Sequence, residues 1–127
     1  MKVIDASCLI DFLTDASRGH LIAPHLEDDL YAPDILVAEM HQCLRSFERS
    51  GVASDAELQQ CRSQFADAAI DYLPVWPYER QIWEWRHSVS TYDAMYVALA
   101  ADLGCPLLTS DRRLASAVSG IVPVICV

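Results

Sequence analysis

The chain has 127 residues, the size of one domain, and we expect residues 1–127 to form a single unit. Apolar residues make up 53% and charged residues 21% of the chain, a balance that excludes disordered and fibrous proteins. The formal net charge is −9, so a role on nucleic acid needs a local site, a bound metal, a partner or a second subunit, whereas a cation or a basic protein suits the charge directly.

Short apolar strands alternate with longer helical segments along the chain. In the first half, strands are predicted over Lys2–Asp5 and at Tyr31–Ala32. Helices are predicted over Ala6–Thr14, over 20–30, and from Pro33 to about Ser50, where Gly51 ends the last of them. In the second half, helices are predicted from the capping box Ser54–Glu57 to about Tyr72, over Tyr78–His87, from Ser90 to Gly104, and over Asp111–Ser119. Strands are predicted over Leu73–Trp76, Pro106–Ser110 and Ile121–Val127. Strands separated by helices require parallel crossovers, so the sequence predicts an α/β fold with a mostly parallel sheet flanked by helices.

Two aspartates directly follow predicted strands where the next helix begins. Asp5 comes after Val3 and Ile4, and Asp111 comes after the run Leu107–Ser110. In open α/β sheets, ligands bind beyond the carboxyl ends of the strands, so both residues are candidates for a site. Taken alone, each is better interpreted as the N-cap of the following helix.

Glu39 lies on a helix whose apolar residues form one stripe. Leu36, Met40, Cys43 and Phe47 make up the stripe, and Glu39 lies about 60° from its middle by helical geometry. An acid that leans toward a core is costly unless it is paired or bound to a metal. The alternative is a glutamate at the edge of the stripe that reaches solvent or an arginine.

Asp93 begins a helix that is apolar almost all the way round from Ala94 to Leu103. Such a helix is buried, so its first acid lies at the mouth of the core. The alternative is a capping-box partner for Ser90.

The four acids together favour a metal site. The carboxyl ends of parallel strands share one edge of the sheet, and clustered carboxylates repel one another unless cations lie among them. Oxygen ligands suit Mg²⁺ or Mn²⁺ better than Zn²⁺. Such a site favours phosphodiester hydrolysis, because one metal lowers the pKa of a bound water and a second stabilises the leaving oxygen.

Four segments of the chain resemble the PIN domain, and the resemblance is greatest to the VapC toxins of bacterial type II toxin–antitoxin pairs. The segments are Val3–Ser7, Ala38–Glu39, Tyr92–Ala100 and Leu107–Leu114. The resemblance covers essentially the whole chain. It implies a Rossmann-like α/β/α sandwich and a Mg²⁺- or Mn²⁺-dependent endoribonuclease. It also implies a homodimer held inactive by a cognate antitoxin, whose tail enters the catalytic groove.

The resemblance assigns roles to particular residues. The positions that match the metal-binding acids of the family are Asp5, Glu39, Asp93 and Asp111. Ser7 and Thr109 match small polar positions that support the site. Gln42 stands where the family often has asparagine, a departure that concerns the geometry around the acids.

Several residues near these segments have two interpretations each. Arg112 and Arg113 follow Asp111 and are candidates to bind substrate phosphate, or they are solvated arginines at a helix start. The three tryptophans fit packing in the core or a dimer better than stacking on bases; they are Trp76, Trp83 and Trp85. His41 is interpreted as an exposed helix residue.

The cysteines and histidines show neither a C-x-x-C motif nor a zinc-binding spacing. We interpret the cysteines as reduced core residues; they are Cys8, Cys43, Cys61, Cys105 and Cys126. No apolar run is long enough to span a bilayer, and Asp5 precedes any signal-peptide apolar region, so we expect a cytoplasmic protein without membrane contact.

Other functions fit the sequence less well. A haloacid-dehalogenase-type phosphatase needs a second acid two residues after its nucleophile, where this chain has Ser7. A phosphoacceptor receiver needs a lysine on a late strand, and the sole lysine is Lys2. No glycine-rich loop supports nucleotide binding. The main alternative is a PIN-like protein that no longer cleaves and acts in binding or regulation.

Overall fold

The computed structural model describes the whole chain, residues 1–127. The strands are β1 (Lys2–Ile4), β2 (Leu30–Pro33), β3 (Ile70–Leu73), β4 (Leu107–Thr109) and β5 (Val124–Cys126). The α-helices are α1 (Ala6–Thr14), α2 (Ala16–Ile22), α3 (Ile35–Ser50), α4 (Asp55–Ala66), α5 (Glu79–Glu84), α6 (Thr91–Leu103) and α7 (Arg112–Val118). Short 3₁₀ turns occupy Ala23–His25 and Trp76–Tyr78.

The five strands form one sheet in the order β3-β2-β1-β4-β5, and every neighbouring pair is parallel. The predicted α/β class is therefore confirmed, and the sheet is wholly rather than mostly parallel. The order reverses at β1, which pairs with β2 on one side and β4 on the other. This reversal is the topological switch point at which α/β sheets bind ligands.

The central strands are buried because helices cover them. Val3, Ile4, Leu107 and Leu108 expose no surface, as expected for parallel strands packed on both faces. Helix α6 contacts β1, β2 and β4, and six of its residues are buried. Its nearly continuous apolar sequence therefore corresponds to a buried helix, as predicted.

Three predicted helix ends are confirmed: the start of α4 and the ends of α3 and α6. Ser54 accepts a hydrogen bond from the Glu57 amide, and the Glu57 side chain accepts one from the Ser54 amide, so the predicted capping box forms. Gly51 and Gly104 end α3 and α6 with φ angles of 72° and 62°. Glycine adopts this left-handed backbone without the steric penalty of a β-carbon.

Two helices have bounds that differ from the predicted ones. The helix predicted over 20–30 is α2, which starts earlier because the Asp15 side chain accepts from the Ser17 and Arg18 amides. It is followed by the 3₁₀ turn that contains Pro24. Helix α4 ends at Ala66 rather than near Tyr72.

The strand predicted over Leu73–Trp76 is β3, which lies earlier in the chain. Its residues pair with β2 in a register from Leu30 opposite Ile70 to Pro33 opposite Leu73. Trp76 instead begins a 3₁₀ turn. Pairing across the sheet thus decided the position, and the local run of apolar residues did not.

Some apolar side chains expected in the core lie at the surface. All five cysteines are free: Cys8, Cys61 and Cys105 are buried, Cys43 is half-buried, and Cys126 is exposed on the edge strand β5. The prediction of core packing is wrong for Trp76 and Trp83, which are 80% and 63% exposed on short surface segments.

Two of the remaining interpretations agree with the structure. Trp85 is half-buried against the core, and His41 is exposed as predicted. Measured against the thickness of a bilayer, every helix is too short or too polar to cross one.

Replacing Gly104 with alanine tests the left-handed end of α6. The added β-carbon meets no neighbouring atom, so the whole effect comes from the backbone. We expect Gly104→Ala to lower the free energy of unfolding by about 1 kcal/mol in urea titrations. Gly120→Ala is the matched control, because Gly120 also has open space but an ordinary φ. Equal stability of the two variants would contradict the prediction.

Candidate active site

The carboxyl ends of β1 and β4 place two aspartates side by side at the switch point. Asp5 caps α1 directly after β1, and Asp111 caps α7 after β4. Because β1 and β4 pair with Val3 opposite Leu107, their ends lie at the same edge of the sheet. The N-cap interpretation of both residues is correct, and it is compatible with a place in a site.

The carboxylate of Asp5 is held by three donors. Only 5% of the residue is exposed. Its Oδ1 accepts hydrogen bonds from the Cys8 amide at 2.9 Å and from Ser7 Oγ at 2.8 Å, and its Oδ2 accepts from Thr109 Oγ1. A buried carboxylate needs such donors, because each replaces a hydrogen bond to water.

One open cavity of about 720 Å³ brings all four predicted acids together. Asp5 reaches it from the end of β1, Glu39 from α3, Asp93 from the first turn of α6 and Asp111 from the start of α7. The other residues of the lining are Ala6, Ser7, Ile10, Ile35, Ala38, Gln42, Tyr92 and Tyr96. Residues far apart in sequence thus form one acidic lining.

Asp93 is the acid that interacts with all the others. Burial is the larger cause of the raised pKa values of Asp5, Glu39 and Asp93, but the charge of Asp93 adds to the first two and the charge of Asp111 adds to the third. Ser90 caps α6 by accepting the Asp93 amide N–H at 3.1 Å. The start of α6 therefore holds Asp93 close enough to the other three acids for their charges to interact.

Burial weakens the acidity of three of the carboxyls. Loss of water raises the pKa of Asp5 to about 6, and the bonds from Thr109, Cys8 and Ser7 only partly oppose this effect. Burial is also the main cause of the raised pKa values of Glu39 and Asp93. Groups that resist ionisation when close together are typical of functional sites.

Tyr96 contacts the site but was not among the predicted site residues. Its hydroxyl donates to Glu39 Oε2 at 2.6 Å and lines the cavity. Its spacing from Asp93 was a usable signal, because residues three apart lie on the same face of a helix. In the sequence it looked like one more core residue of an apolar helix.

The predicted supporting residues occupy different places. Thr109 is buried between two acids: its hydroxyl donates to Asp5 and accepts from the Asp111 amide at 2.9 Å. Ser7 lines the cavity and also accepts from the Ser110 amide. Gln42 lines the cavity from α3.

The two arginines after Asp111 stand outside the cavity. Both Arg112 and Arg113 are exposed. Arg113 lines a smaller neighbouring cavity together with Asp93 and Asp111, so it lies beside the acids. Arg112 lies next to it in the same first turn of α7.

The donors of the cavity fit a hard divalent cation. The four acids offer only oxygen, which Mg²⁺ and Mn²⁺ prefer, and Mg²⁺ commonly keeps several waters and uses one or two carboxylates. No three His, Cys, Asp or Glu side chains are grouped as a ready-made ligand set.

Sequence comparisons place the chain among known proteins. The model of the PIN domain family matches residues 2–119. Ribonuclease VapC1 of Mycobacterium tuberculosis strain H37Rv is 36% identical, over 91% of this chain and 89% of that protein. Ribonuclease VapC9 of the same strain is 33% identical, over 98% of this chain and 96% of that protein.

Solved structures agree with the fold. VapC20 of M. tuberculosis, described as a sarcin–ricin loop cleaving toxin, superposes with a TM-score of 0.67 at 16% identity, over 96% of this chain and 97% of that one. A toxin–antitoxin complex from Klebsiella pneumoniae gives 0.67 at 17% identity, over 98% and 96%. At these identities the likeness concerns the fold alone, and it confirms the predicted PIN-like architecture.

The raised pKa of Asp5 predicts how stability depends on pH in the metal-free protein. Between its ordinary value of 3.8 and about 6, the native state binds more protons at Asp5 than the unfolded state does. The free energy of unfolding therefore falls as pH rises through this window. Carboxyl NMR titration in EDTA is expected to give a midpoint near 6 for Asp5.

The control for this titration is Asp5→Asn, which has no proton to exchange. Whatever its absolute stability, its free energy of unfolding is expected to vary less between pH 4 and 6 than that of the wild type (the window set by Asp5). An Asp5 carboxyl that titrates near 4 would contradict the assignment of a buried, desolvated group.

Proposed function

This chain belongs to the PIN domain family, and on that premise we propose that it is a Mg²⁺- or Mn²⁺-dependent endoribonuclease, the toxin of a toxin–antitoxin pair. The observation that carries the proposal is the lining of one cavity by Asp5, Glu39, Asp93 and Asp111. The relatives VapC1 and VapC9 are named ribonucleases, which supports RNA as the substrate class. We propose that residues 1–127 form one nuclease domain.

The chemistry divides between the protein and the ion. A divalent cation, when bound, would lower the pKa of the attacking water and would stabilise charge on the leaving oxygen. The residues that would hold the ion are Asp5, Glu39, Asp93 and Asp111. No histidine or lysine lines the cavity.

The surrounding residues fix the acids in place. Thr109 and Ser7 orient the Asp5 carboxylate through their hydroxyl groups. Gln42 lies near enough to the cavity to contact a bound water or a ribose hydroxyl. We assign Arg112 and Arg113 to the phosphates that flank the scissile bond, because Arg113 lies beside Asp93 and Asp111 at the surface.

The net charge of −9 would by itself repel RNA. Bound cations would offset the charge of the acids and so draw phosphate to this one place. The requirement for metal therefore explains how an acidic chain can act on a polyanion. The same reasoning predicts that binding and cleavage both fail without divalent ions.

We propose a protein partner as well as a substrate. The Klebsiella pneumoniae neighbour is a toxin–antitoxin complex, which supports a cognate antitoxin for this chain. An arginine-bearing tail suits an acidic cavity, because guanidinium and carboxylate groups form paired hydrogen bonds. The likeness to VapC toxins further implies a homodimer that acts in the cytoplasm.

The catalytically silent alternative has no supporting observation. A chain that had lost cleavage would be expected to lose one of the acids, yet all four line the cavity. The phosphatase alternative lacks its second acid, because that position is Ser7. The Ser7 hydroxyl instead donates a hydrogen bond to Asp5.

Glu39→Gln tests the four-carboxylate site. We expect cleavage of RNA in Mg²⁺ or Mn²⁺ to fall by roughly 100-fold, the scale for removing one electrostatic stabiliser from an active site. Stability is expected to change little, because the change relieves repulsion and the amide oxygen still accepts from Tyr96. Cleavage of a labelled RNA and thermal melting in EDTA measure the two effects.

The matched control is Glu48→Gln, an exposed acid on the same helix, which is expected to cleave normally. Saturating Mn²⁺ at 100 times its Kd is expected to stabilise the wild type by about 2.7 kcal/mol, and Glu39→Gln less at the same concentration. Unchanged cleavage by Glu39→Gln would remove Glu39 from the site. A wild-type melting temperature indifferent to Mn²⁺ and Mg²⁺ would contradict the metal.

Expression in bacteria tests the toxin assignment and the partner together. Induction of the wild-type chain is expected to arrest growth, and co-expression of the protein encoded by the adjacent reading frame is expected to relieve the arrest. Asp5→Asn is expected to be harmless because it removes a proposed metal ligand. Arrest by Asp5→Asn equal to that of the wild type would refute RNA cleavage as the cause.

A further inference from the structure

Tyr96 has a polar atom that the proposed chemistry does not use. It is the largest fully buried side chain of the chain, with 1% of its surface exposed. Its ring packs in the core, and its hydroxyl reaches the edge of the cavity, where it donates to Glu39 Oε2 at 2.6 Å. A buried tyrosine hydroxyl needs an acceptor, and here the acceptor is one of the four acids.

We propose that Tyr96 is a positioning residue of the carboxylate site, which fixes Glu39 so that its second oxygen faces a divalent cation. The inference rests on the proposed function and extends it to a residue outside the set of acids. Glu39 Oε1 accepts no hydrogen bond within the chain, so it stays available to a ligand. Ligating carboxylates are commonly held in this way by a further hydrogen bond.

The placement of the two helices explains why an anchor is needed. Glu39 lies on α3 and is half-buried, whereas Asp93 and Tyr96 lie one turn apart on α6. A free glutamate side chain has several rotamers, and repulsion from Asp93 favours those that turn away from the other acids. The Tyr96 hydroxyl opposes this repulsion by a bond across the cavity.

A second tyrosine–carboxylate pair lies at the opposite end of α6, and its bond is exposed rather than part-buried. Tyr78 Oη donates to Asp102 Oδ2 at 2.8 Å, and neither residue lines the cavity. Both pairs join a tyrosine hydroxyl to a carboxylate through α6, but only the Tyr96 pair includes a cavity acid. Tyr78→Phe therefore makes the same atomic change as Tyr96→Phe away from the site.

The test is the affinity of the metal-free protein for Mn²⁺, measured by calorimetry. We expect Tyr96→Phe to weaken binding by about tenfold, the lower end for loss of a group that orients a metal ligand. Tyr78→Phe is expected to bind Mn²⁺ as tightly as the wild type. In a Glu39→Gln background, Tyr96→Phe is expected to weaken binding no further, because its effect acts through Glu39.

Each other result overturns the proposal. Wild-type affinity in Tyr96→Phe overturns the role of Tyr96 and leaves the proposed function intact. An equal loss in the Glu39→Gln background shows a general structural effect and likewise overturns it. A wild-type chain that binds no Mn²⁺ overturns the proposed function and the role of Tyr96 together.

A second measurement uses only the wild-type chain, so it does not depend on the folding of a variant. Titration with Mg²⁺ is expected to shift the ring Cζ resonance of Tyr96 in the NMR spectrum, because the acceptor carboxylate shares its charge with the ion. The Tyr78 resonance is expected to stay constant. A Tyr96 resonance that does not respond to Mg²⁺ overturns the proposal.

Discussion

Burial of the Asp5 carboxylate at the switch point of the sheet is the constraint on which the site depends. Removing a carboxylate from water is unfavourable unless donors replace the lost hydrogen bonds. Here the donors come from the Cys8 amide and Ser7 hydroxyl of α1 and from the Thr109 hydroxyl of β4. These bonds join β1, α1 and β4 at one point. The Thr109 hydroxyl also accepts a hydrogen bond from the Asp111 amide. The position of two acids is thus fixed by the same few bonds that end two strands.

The same two aspartates, Asp5 and Asp111, cap helices and line the cavity. Asp5 and Asp111 were ambiguous in the sequence because N-caps and strand-end ligands have the same residue type in the same place. In the structure each accepts from backbone amides of the next helix and also lines the cavity. The amide donors at a helix N-terminus favour negative charge, so the start of each helix partly stabilises the acid that the cavity exposes.

The sequence predicted features that depend on local pattern and missed those that depend on distant partners. The α/β class, the capping box at Ser54 and the glycine ends of two helices follow from short-range chemistry, and the structure has them. The position of β3 depends on its register against β2, which no local pattern reveals. Tyr96 was missed for a related reason: its ring makes it a core residue, and its hydroxyl matters only because α3 brings Glu39 to it.

Three of the four acids oppose folding when they are charged, whereas Asp111 caps α7. Burial and mutual repulsion raise the pKa values of Asp5, Glu39 and Asp93, so each charge that forms near neutral pH opposes folding. Groups that conflict with stability yet persist in one cavity are expected where function requires them. The hydroxyl groups of Ser7, Thr109 and Tyr96 offset part of the conflict by donating to these acids. The rest of the conflict is unbalanced negative charge, which a cation bound in the cavity would relieve.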